Sequence, residues 1–129
     1  MLSTDAFNYV NVLDKAADAS WKRENVLTNN IANVDTPGYK RKDVNFENTL
    51  KTELGRCKHE SLDSKMKDVD LSKLNPSVYV DSSNYSYRLD GSNVDIDTEE
   101  VELASEQIRY QGITAGINGQ FDRMRSVIK

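Results

Sequence analysis

The sequence predicts a mainly α-helical protein in which two long terminal helices form a coiled-coil-like core, with a small irregular insert that contains a β-hairpin. Apolar residues recur at helical spacing near both ends of the 129-residue chain. The segment between them alternates at period two only in short runs, as half-buried strands do. The sequence is therefore interpreted as one domain with three parts, residues 1–36, 37–96 and 97–129.

The first helix is predicted from about residue 4 to residue 33. Its apolar seam follows alternating steps of four and three residues, which is the heptad pattern of helices that pack side by side. Residues 3–5 offer side chains that can cap its start. Two polar residues, Ser20 and Glu24, weaken the middle of the seam. The apolar members of the seam are Ala6, Val10, Leu13, Ala17, Leu27, Ile31 and Val34.

A turn is predicted where this helix ends. Pro37 stops the helix, and Thr36 before it is pushed toward an extended conformation. The four residues from Thr36 to Tyr39 fit a type II turn, with proline second and glycine third. The helix end before the turn is rich in amides, which can hydrogen-bond terminal carbonyls or neighbouring chains. These amides belong to Asn29, Asn30 and Asn33.

The first part of the insert is predicted to hold a short amphipathic helix within residues 42–56. Phe46, Leu50 and Leu54 recur there every four residues, and a glycine follows that can end the helix. The stretch from Arg56 to Asn75 is polar with weak periodicity, which predicts a mobile loop or linker.

The second part of the insert predicts β structure. Residues 78–80, 85–89 and 94–96 each alternate at period two. The turn-forming residues 90–93 separate the last two runs, so a β-hairpin is expected there.

The second long helix is predicted from about Thr98 to near residue 129, with Asp97 and Glu100 as a capping box. Its seam consists of Leu103, Gln107, Tyr110, Thr114, Ile117, Phe121, Met124 and Ile128. Glycines at 112, 116 and 119 share one face, and each costs about 1 kcal/mol relative to alanine. They either fray the helix or, as we expect, allow another backbone to approach closely in an assembly.

The composition favours a chain that completes its core with neighbours. Only 37% of residues are hydrophobic, the mean hydropathy is -0.68 and the net charge is -4, which is poor for a self-sufficient globule but not typical of full disorder. A mildly acidic chain has no nucleic-acid footprint. No apolar run is long enough for a transmembrane helix, and the first residues do not resemble a cleavable secretory signal.

No catalytic, cofactor or metal site is predicted, and no small-molecule substrate. Cys57 and His59 lie two residues apart but lack the further ligands that a metal site needs. A single histidine gives no credible Ser-His-Asp set. Glu99, Glu100 and Glu102 are expected to stabilise a helix N-terminus electrostatically instead of forming a catalytic pair.

Three segments of the chain resemble the axial proteins of the bacterial flagellar rod and hook. The most specific is the asparagine-rich helix end followed by a Thr-Pro-Gly-Tyr turn. The others are the acidic entry to the last helix, residues 93–100, and its continuation, residues 103–110. The residues that carry the first match are Asn29, Asn30, Ile31, Ala32, Asn33, Thr36, Pro37, Gly38 and Tyr39.

The resemblance implies a structural subunit of the basal-body rod that transmits motor torque through its terminal helices, and the short chain favours a proximal rod protein. It implies export by the flagellar type III system without a cleavable signal. The implied partners are other rod subunits, the inner-membrane ring, the rod-base adaptor and the export gate. Phe46 and Leu50 resemble the pattern that the gate recognises in early substrates, although this pattern is short and common and plain packing of an amphipathic turn is the favoured explanation.

A small cytosolic two-helix adaptor or export chaperone is the alternative, and the asparagine-rich signature favours the rod protein over it. An adaptor folds alone, whereas a rod subunit is expected to gain order on assembly. The helix faces expected to mediate assembly are those of Val10, Leu13, Ala17, Leu27, Ile31, Leu103, Tyr110, Ile117, Phe121, Met124 and Ile128.

Overall fold

The computed structural model describes residues 5–57, 61–81 and 89–128, and over these ranges the chain forms four α-helices and one two-stranded sheet. Short 3-10 turns lie at Asp5–Phe7 and Leu71–Lys73. The elements in chain order are α1 (Asn8–Ala32), β1 (Lys42–Asn45), α2 (Glu47–Arg56), α3 (Leu62–Asp68), β2 (Ser77–Val80) and α4 (Ile96–Ile128).

The two long helices pack against each other in an antiparallel hairpin, which confirms the predicted fold class. Ser20 near the middle of α1 bonds to Glu106 of α4. Closer to the start of α1, Leu13 lies beside Gly116, whose added Cβ would be 3.7 Å from the leucine Cδ1. The ring centroids of Trp21 and Tyr110 are 6.1 Å apart.

The end of α1 and the turn after it have the predicted geometry. The amide N of Tyr39 donates to the carbonyl of Thr36 at 3.2 Å, and Gly38 has a φ of 72°. A closing hydrogen bond and a positive φ at the third residue are the marks of a type II turn. Of the predicted capping residues 3–5 at the other end, residues 3 and 4 lie outside the described residues.

The start of α4 lies two residues earlier than predicted. The carboxylate of Asp95 accepts hydrogen bonds from the Asp97 amide N at 3.1 Å and from the Thr98 hydroxyl at 3.2 Å. Asp95 therefore takes the capping role that the sequence analysis assigned to Asp97, and the helix begins at Ile96.

The insert contains a small antiparallel sheet, although its strands are far apart in sequence and do not form the expected hairpin. β1 pairs with β2 from Lys42 opposite Val80 to Asn45 opposite Ser77. The predicted strand at 78–80 is confirmed, whereas β1 lies in a segment that was predicted to be helical. Three of its four residues, Lys42, Asp43 and Asn45, are polar, so β1 has no strand pattern in the sequence. It is held by partners distant along the chain.

Of the two strands predicted for the hairpin, 85–89 and 94–96, only the second lies wholly within the described residues. Residues 82–88, which include most of the first strand, lie outside the described residues. The second prediction, 94–96, is wrong, because Val94 is a buried loop residue and Ile96 opens α4. Val94 and Ile96 are apolar for different reasons, since Val94 is buried in the loop and Ile96 begins the helix. Their alternation with Asp95 therefore does not indicate a strand.

The segment from residue 56 to 75 is not simply the loop that was predicted. It contains α3, capped by Ser61, whose hydroxyl accepts from the Ser64 amide N at 3.2 Å. It also closes a small core against α1, since Leu74 is buried there. α2 confirms the predicted short helix, beginning after Phe46. The core consists of Val12, Ala19, Phe46 and Leu74, with Ala16, Leu50, Met66, Val69 and Leu71 packed around it.

Across residues 5–57, 61–81 and 89–128, no helix has both the length and the apolar character that crossing a bilayer requires.

Candidate functional site

The signature residue Asn30 joins three elements of the fold. Its side chain is completely buried. The amide nitrogen donates to the Lys42 carbonyl at 2.7 Å and to Glu99 Oε2 at 3.1 Å. The amide oxygen accepts from the Lys42 backbone N at 3.0 Å and from the Tyr39 hydroxyl at 3.2 Å. Asn30 thus hydrogen-bonds both the backbone N–H and the carbonyl of Lys42 in β1, and its bond to Glu99 connects α1 to α4.

Arg41 lies beside this amide and is itself buried. Its Nε donates to Glu99 Oε1 at 2.5 Å, its Nη1 to Asp81 at 2.5 Å and its Nη2 to Asp43 at 3.3 Å. Its backbone N donates to the Asn93 side chain at 2.7 Å. One guanidinium therefore ties the strand pair to the first turn of α4.

Arg23 of α1 forms a second set of ion pairs one heptad further along α4. It donates to Asp43 at 2.8 Å, to Glu106 at 2.8 Å and to Glu102 at 2.9 Å. The Ser20 hydroxyl donates to the other Glu106 oxygen at 2.7 Å. We call the whole set the polar network: Ser20, Arg23, Asn30, Arg41, Asp43, Asp81, Glu99, Glu102 and Glu106.

The pKa shifts in the polar network favour the charged forms. Burial by itself lowers the pKa of Arg23, but its hydrogen bonds to carboxylates outweigh burial and raise it. The same balance raises the pKa of Arg41, with Glu99 as its main partner. Burial raises the pKa of the Asp43 carboxyl, yet hydrogen bonds from Arg23 and the Val44 amide and the charges of both arginines bring it below its ordinary value.

The signature turn packs against the loop that leads into α4. The Gly38 amide N donates to the Asp90 carbonyl at 2.6 Å, and the Asn93 amide N donates to the Tyr39 carbonyl at 3.3 Å. Gly38 and Gly91 both have positive φ, 72° and 80°. A Cβ on Gly91 would lie 3.6 Å from the Gly38 Cα. The first and second family-like segments of the sequence thus form one joint.

The other signature residues cap or border the helix end. The Asn33 amide donates to the Asn29 carbonyl at 2.8 Å, and the Thr36 hydroxyl donates to Asn33 Oδ1 at 3.1 Å. Asn29, Ala32 and Pro37 are exposed and Ile31 is half-buried. Only Asn30 is buried, so one of the three asparagines forms the joint between α1, β1 and α4.

The sequence did not predict the partners of Asn30, namely Glu99 and the Lys42 backbone, or the pairing of Glu99 with Arg41. Glu99 was assigned to helix electrostatics, and Ser20 was treated as a weakness of the seam. The available signal was polar residues in both seams: Ser20 in α1 faces Glu106 in α4, and Glu99 lies one heptad before Glu106. Polar positions in two facing seams indicate a buried polar layer.

The face of α4 that meets α1 is rotated slightly from the expected stripe. Four predicted positions, Gln107, Thr114, Phe121 and Ile128, are exposed in the hairpin. The residue just before three of them, Glu106, Ile113 or Gln120, faces α1 instead. The buried or half-buried heptad positions are Glu99, Leu103, Glu106, Tyr110, Ile113, Ile117, Gln120 and Met124.

The two buried residues of α4 are both glutamates, Glu99 and Glu106. All of its apolar residues remain at least partly exposed. Phe121 keeps 42% of its surface exposed and Ile128 keeps 83%. On α1, by contrast, Val10 and Leu27 are buried within the chain, and Leu13, Ala17 and Ile31 are half-buried.

The remaining candidate residues belong to the small core. Phe46 is buried and Leu50 packs against it. The Cys57 thiol lies 3.4 Å from the Glu53 carbonyl, and His59 lies outside the described residues. Within the described ranges, no three His, Cys, Asp or Glu side chains are arranged to hold a metal ion.

These features define a structural helical-hairpin protein whose joint is a polar network and whose second helix leaves its apolar side chains open to a neighbour. Residues 12–40, which run from α1 through the signature turn, match the family model described as flagella basal body rod protein. The chain belongs to the family of flagellar basal body rod proteins.

Three relatives described as flagellar basal body rod protein FlgB illustrate the similarity. The Bacillus subtilis protein is 40% identical over 116 residues, covering 90% of this chain and 89% of the relative. The Buchnera aphidicola protein is 31% identical, covering 95% and 98%. The Escherichia coli protein is 29% identical, covering 84% and 83%. The family resemblance is therefore confirmed: the chain is a structural protein of the flagellar basal body rod, and the matching family is not a catalytic one.

Proposed function

We propose that this chain is a subunit of the proximal rod that assembles through α1 and α4 and transmits motor torque. The observation that carries the proposal is the similarity to FlgB proteins along nearly the whole chain. The geometry adds support, because the signature residue Asn30 anchors the joint that holds the two helices together. A rigid joint suits a subunit that must pass force from one neighbour to the next.

The exposed side of α4 supports assembly through helix faces. An isolated helix with partly exposed apolar residues and three glycines is only marginally stable, so a neighbouring subunit that covers α4 stabilises it. The proposed assembly faces on this helix are those of Leu103, Tyr110, Ile117, Phe121, Met124 and Ile128. On α1 the half-buried Leu13, Ala17 and Ile31 retain surface for a neighbour, while Val10 and Leu27 support the hairpin from within.

The proposal includes export by the flagellar type III system without a cleavable signal. Its partners are then the export gate, the rod-base adaptor, the inner-membrane ring and other rod subunits. Phe46 and Leu50 form the candidate gate motif. Because Phe46 is buried in the folded core, the gate has access to this motif only in an unfolded chain.

Deletion of the gene tests the rod function directly. We expect cells without the gene to lack flagella, and a tagged copy to restore them and to be found in purified basal bodies. Normal flagella in the deletion strain, with the tagged protein confined to the cytosol, would favour the adaptor alternative instead.

Export is tested by comparing Phe46→Ala with Leu74→Ala. Both changes truncate a buried residue of the same core cluster, so both destabilise the fold by a few kcal/mol, about 2–5. If the gate recognises Phe46, only Phe46→Ala lowers the amount of chain exported per amount synthesised. Equal export of the two variants contradicts the gate motif and leaves the rod function intact.

A further inference from the structure

A groove runs along the hairpin beside the polar network. Its volume is about 670 Å³, within the range of ligand and peptide pockets. α1 supplies the floor with Ala16 and Ala19, α4 one wall with Arg109 and Ile113, and α2 the other wall with Glu47 and Leu50. The Arg109–Glu47 ion pair spans the two walls near the surface.

The charge of the groove is negative on balance. Four carboxylates line it, those of Asp43, Glu47, Glu102 and Glu106, against the two guanidinium groups of Arg23 and Arg109. Of these, Glu47 has a side chain 72% exposed; its Oε1 accepts from Arg109, so it is Oε2 that can accept from a partner. The groove thus combines an apolar floor with an acidic rim, which fits an amphipathic helix that carries basic residues.

The last two turns of α4 have this chemistry. Phe121 and Ile128 are exposed and lie seven residues apart on one face, as the anchors of a helix in a groove do. Val127 and Ile128 are each 83% exposed. Arg123 and Arg125 outnumber Asp122, so the segment is basic on balance. Its exposed apolar surface and its charge both complement the groove.

This segment cannot enter the groove of its own chain. Arg109 and Ile128 belong to one continuous helix and lie about 29 Å apart at 1.5 Å per residue. A second copy can supply the segment. The two surfaces differ, so the contact is head-to-tail, and repeated contacts of that kind extend into an open helical array instead of closing a dimer.

We infer that the groove between α1, α2 and α4 of one copy receives residues 121–128 of α4 from a second copy. This inference rests on the proposed rod function and identifies the contact through which neighbouring copies meet. The apolar anchors cover the alanine floor, and the arginines lie along the acidic rim.

Cysteine cross-linking in assembled basal bodies tests the contact. Two differently tagged full-length chains, both carrying Cys57→Ser, are produced together in the deletion strain. One carries Asn48→Cys on the α2 wall, and the other carries Ser126→Cys, both at exposed positions. A disulfide forms only when the two Cα atoms approach within about 7 Å, so mild oxidation reports on direct proximity.

Two control pairs keep the test specific. In one, Gln111→Cys replaces Asn48→Cys at an exposed position that does not line the groove. In the other, Val101→Cys replaces Ser126→Cys at the opposite end of α4. We expect the Asn48–Ser126 pair to give about tenfold more mixed dimer than either control, because docking raises the effective concentration of the two thiols.

The possible results separate the contact from the rod function. Both tagged chains in basal bodies, with no excess of mixed dimer over the controls, overturn the groove contact and leave the rod function standing. More mixed dimer with Val101→Cys than with Ser126→Cys also overturns it, because the wrong end of α4 then occupies the groove. Absence of even the unsubstituted chain from basal bodies refutes the rod function and the contact together.

Discussion

The two ends of the helical hairpin differ in how far their side chains are buried and paired within the chain. At the closed end, near the signature turn, Asn30 and Glu99 are almost completely buried and hydrogen-bonded to each other, and Glu99 is also paired with Arg41. At the open end, Val127 and Ile128 of α4 each keep 83% of their surface exposed. The closed end is complete in a single chain, whereas the open end has apolar surface left for a neighbour.

The difference shows what the charged residues contribute. A buried ion pair adds little net stability compared with apolar packing, because desolvation offsets the attraction. Its stronger effect is on alignment: Glu99 and Glu106 lie one heptad apart, and each meets its own arginine. A shift of α4 by one turn moves each carboxylate about 5.4 Å along the helix axis and breaks both of these pairs. The polar network therefore fixes the register in which α4 presents its open end.

The largest expected effect is at the closed end, with Arg41→Ala. This change leaves Glu99 buried without its cation, and removing one partner of a buried pair costs about 3–5 kcal/mol. Urea unfolding of the purified chain measures the loss. The control is Arg125→Ala, which removes an exposed arginine paired with the equally exposed Asp122 and should cost less than about 1 kcal/mol. Equal losses in the two variants contradict the structural role of Arg41.

Asn30→Ala is expected to have the next largest effect. It leaves the Lys42 backbone groups and one Glu99 oxygen without their partner, and each unsatisfied buried group costs about 1–3 kcal/mol. Asn29→Ala is the matched control, since its side chain is exposed in the same signature. Unfolding midpoints that shift equally in both variants would show that Asn30 does not hold the joint.

Much of this closed end was predictable from the sequence in outline. Helical periodicity gave both long helices, and proline followed by glycine gave the type II turn, because these signals depend on neighbours close in the chain. The bounds of α4 were missed by two residues, since Asp95 and Asp97 are both acceptable caps and only the three-dimensional arrangement distinguishes them.

The parts that the sequence did not predict all depend on distant partners. β1 is polar at three of its four positions, and it is a strand because β2 and Asn30 pair with it. α3 lies in a polar segment in which most of the apolar residues pack in the core against α1, namely Met66, Val69, Leu71 and Leu74. The polar network joins residues up to 86 positions apart, a separation at which local patterns carry no information.

Between the two ends, in the middle of α4, Gly112→Ala is expected to raise stability while weakening assembly. An added Cβ meets nothing within 4 Å in the hairpin, so the helix gains about 1 kcal/mol of intrinsic propensity. If a neighbouring backbone approaches this glycine in the rod, the same Cβ obstructs it and fewer flagella form. Urea unfolding and flagellar counts measure the two effects separately.

Gly55→Ala is the matched control, because Gly55 is an exposed glycine of α2 with equally free space around it. It should raise stability without changing flagellar number. If Gly112→Ala also leaves flagellation unchanged, the glycine face is not a site of close approach between subunits.

The smallest effect expected is the pH dependence of Asp43. Its pKa in the folded chain is below the ordinary 3.8, so the ionised carboxylate stabilises the fold above that pH. This contribution is lost as the pH falls below 3.8 and the group becomes protonated in the unfolded and then in the folded state. The difference in unfolding free energy between the unchanged chain and Asp43→Asn should therefore shrink steadily in acid.

Asp122→Asn changes an exposed carboxylate at the open end and serves as the control. A gap for Asp43→Asn that stays constant through this range would show that its charge does not stabilise the closed end.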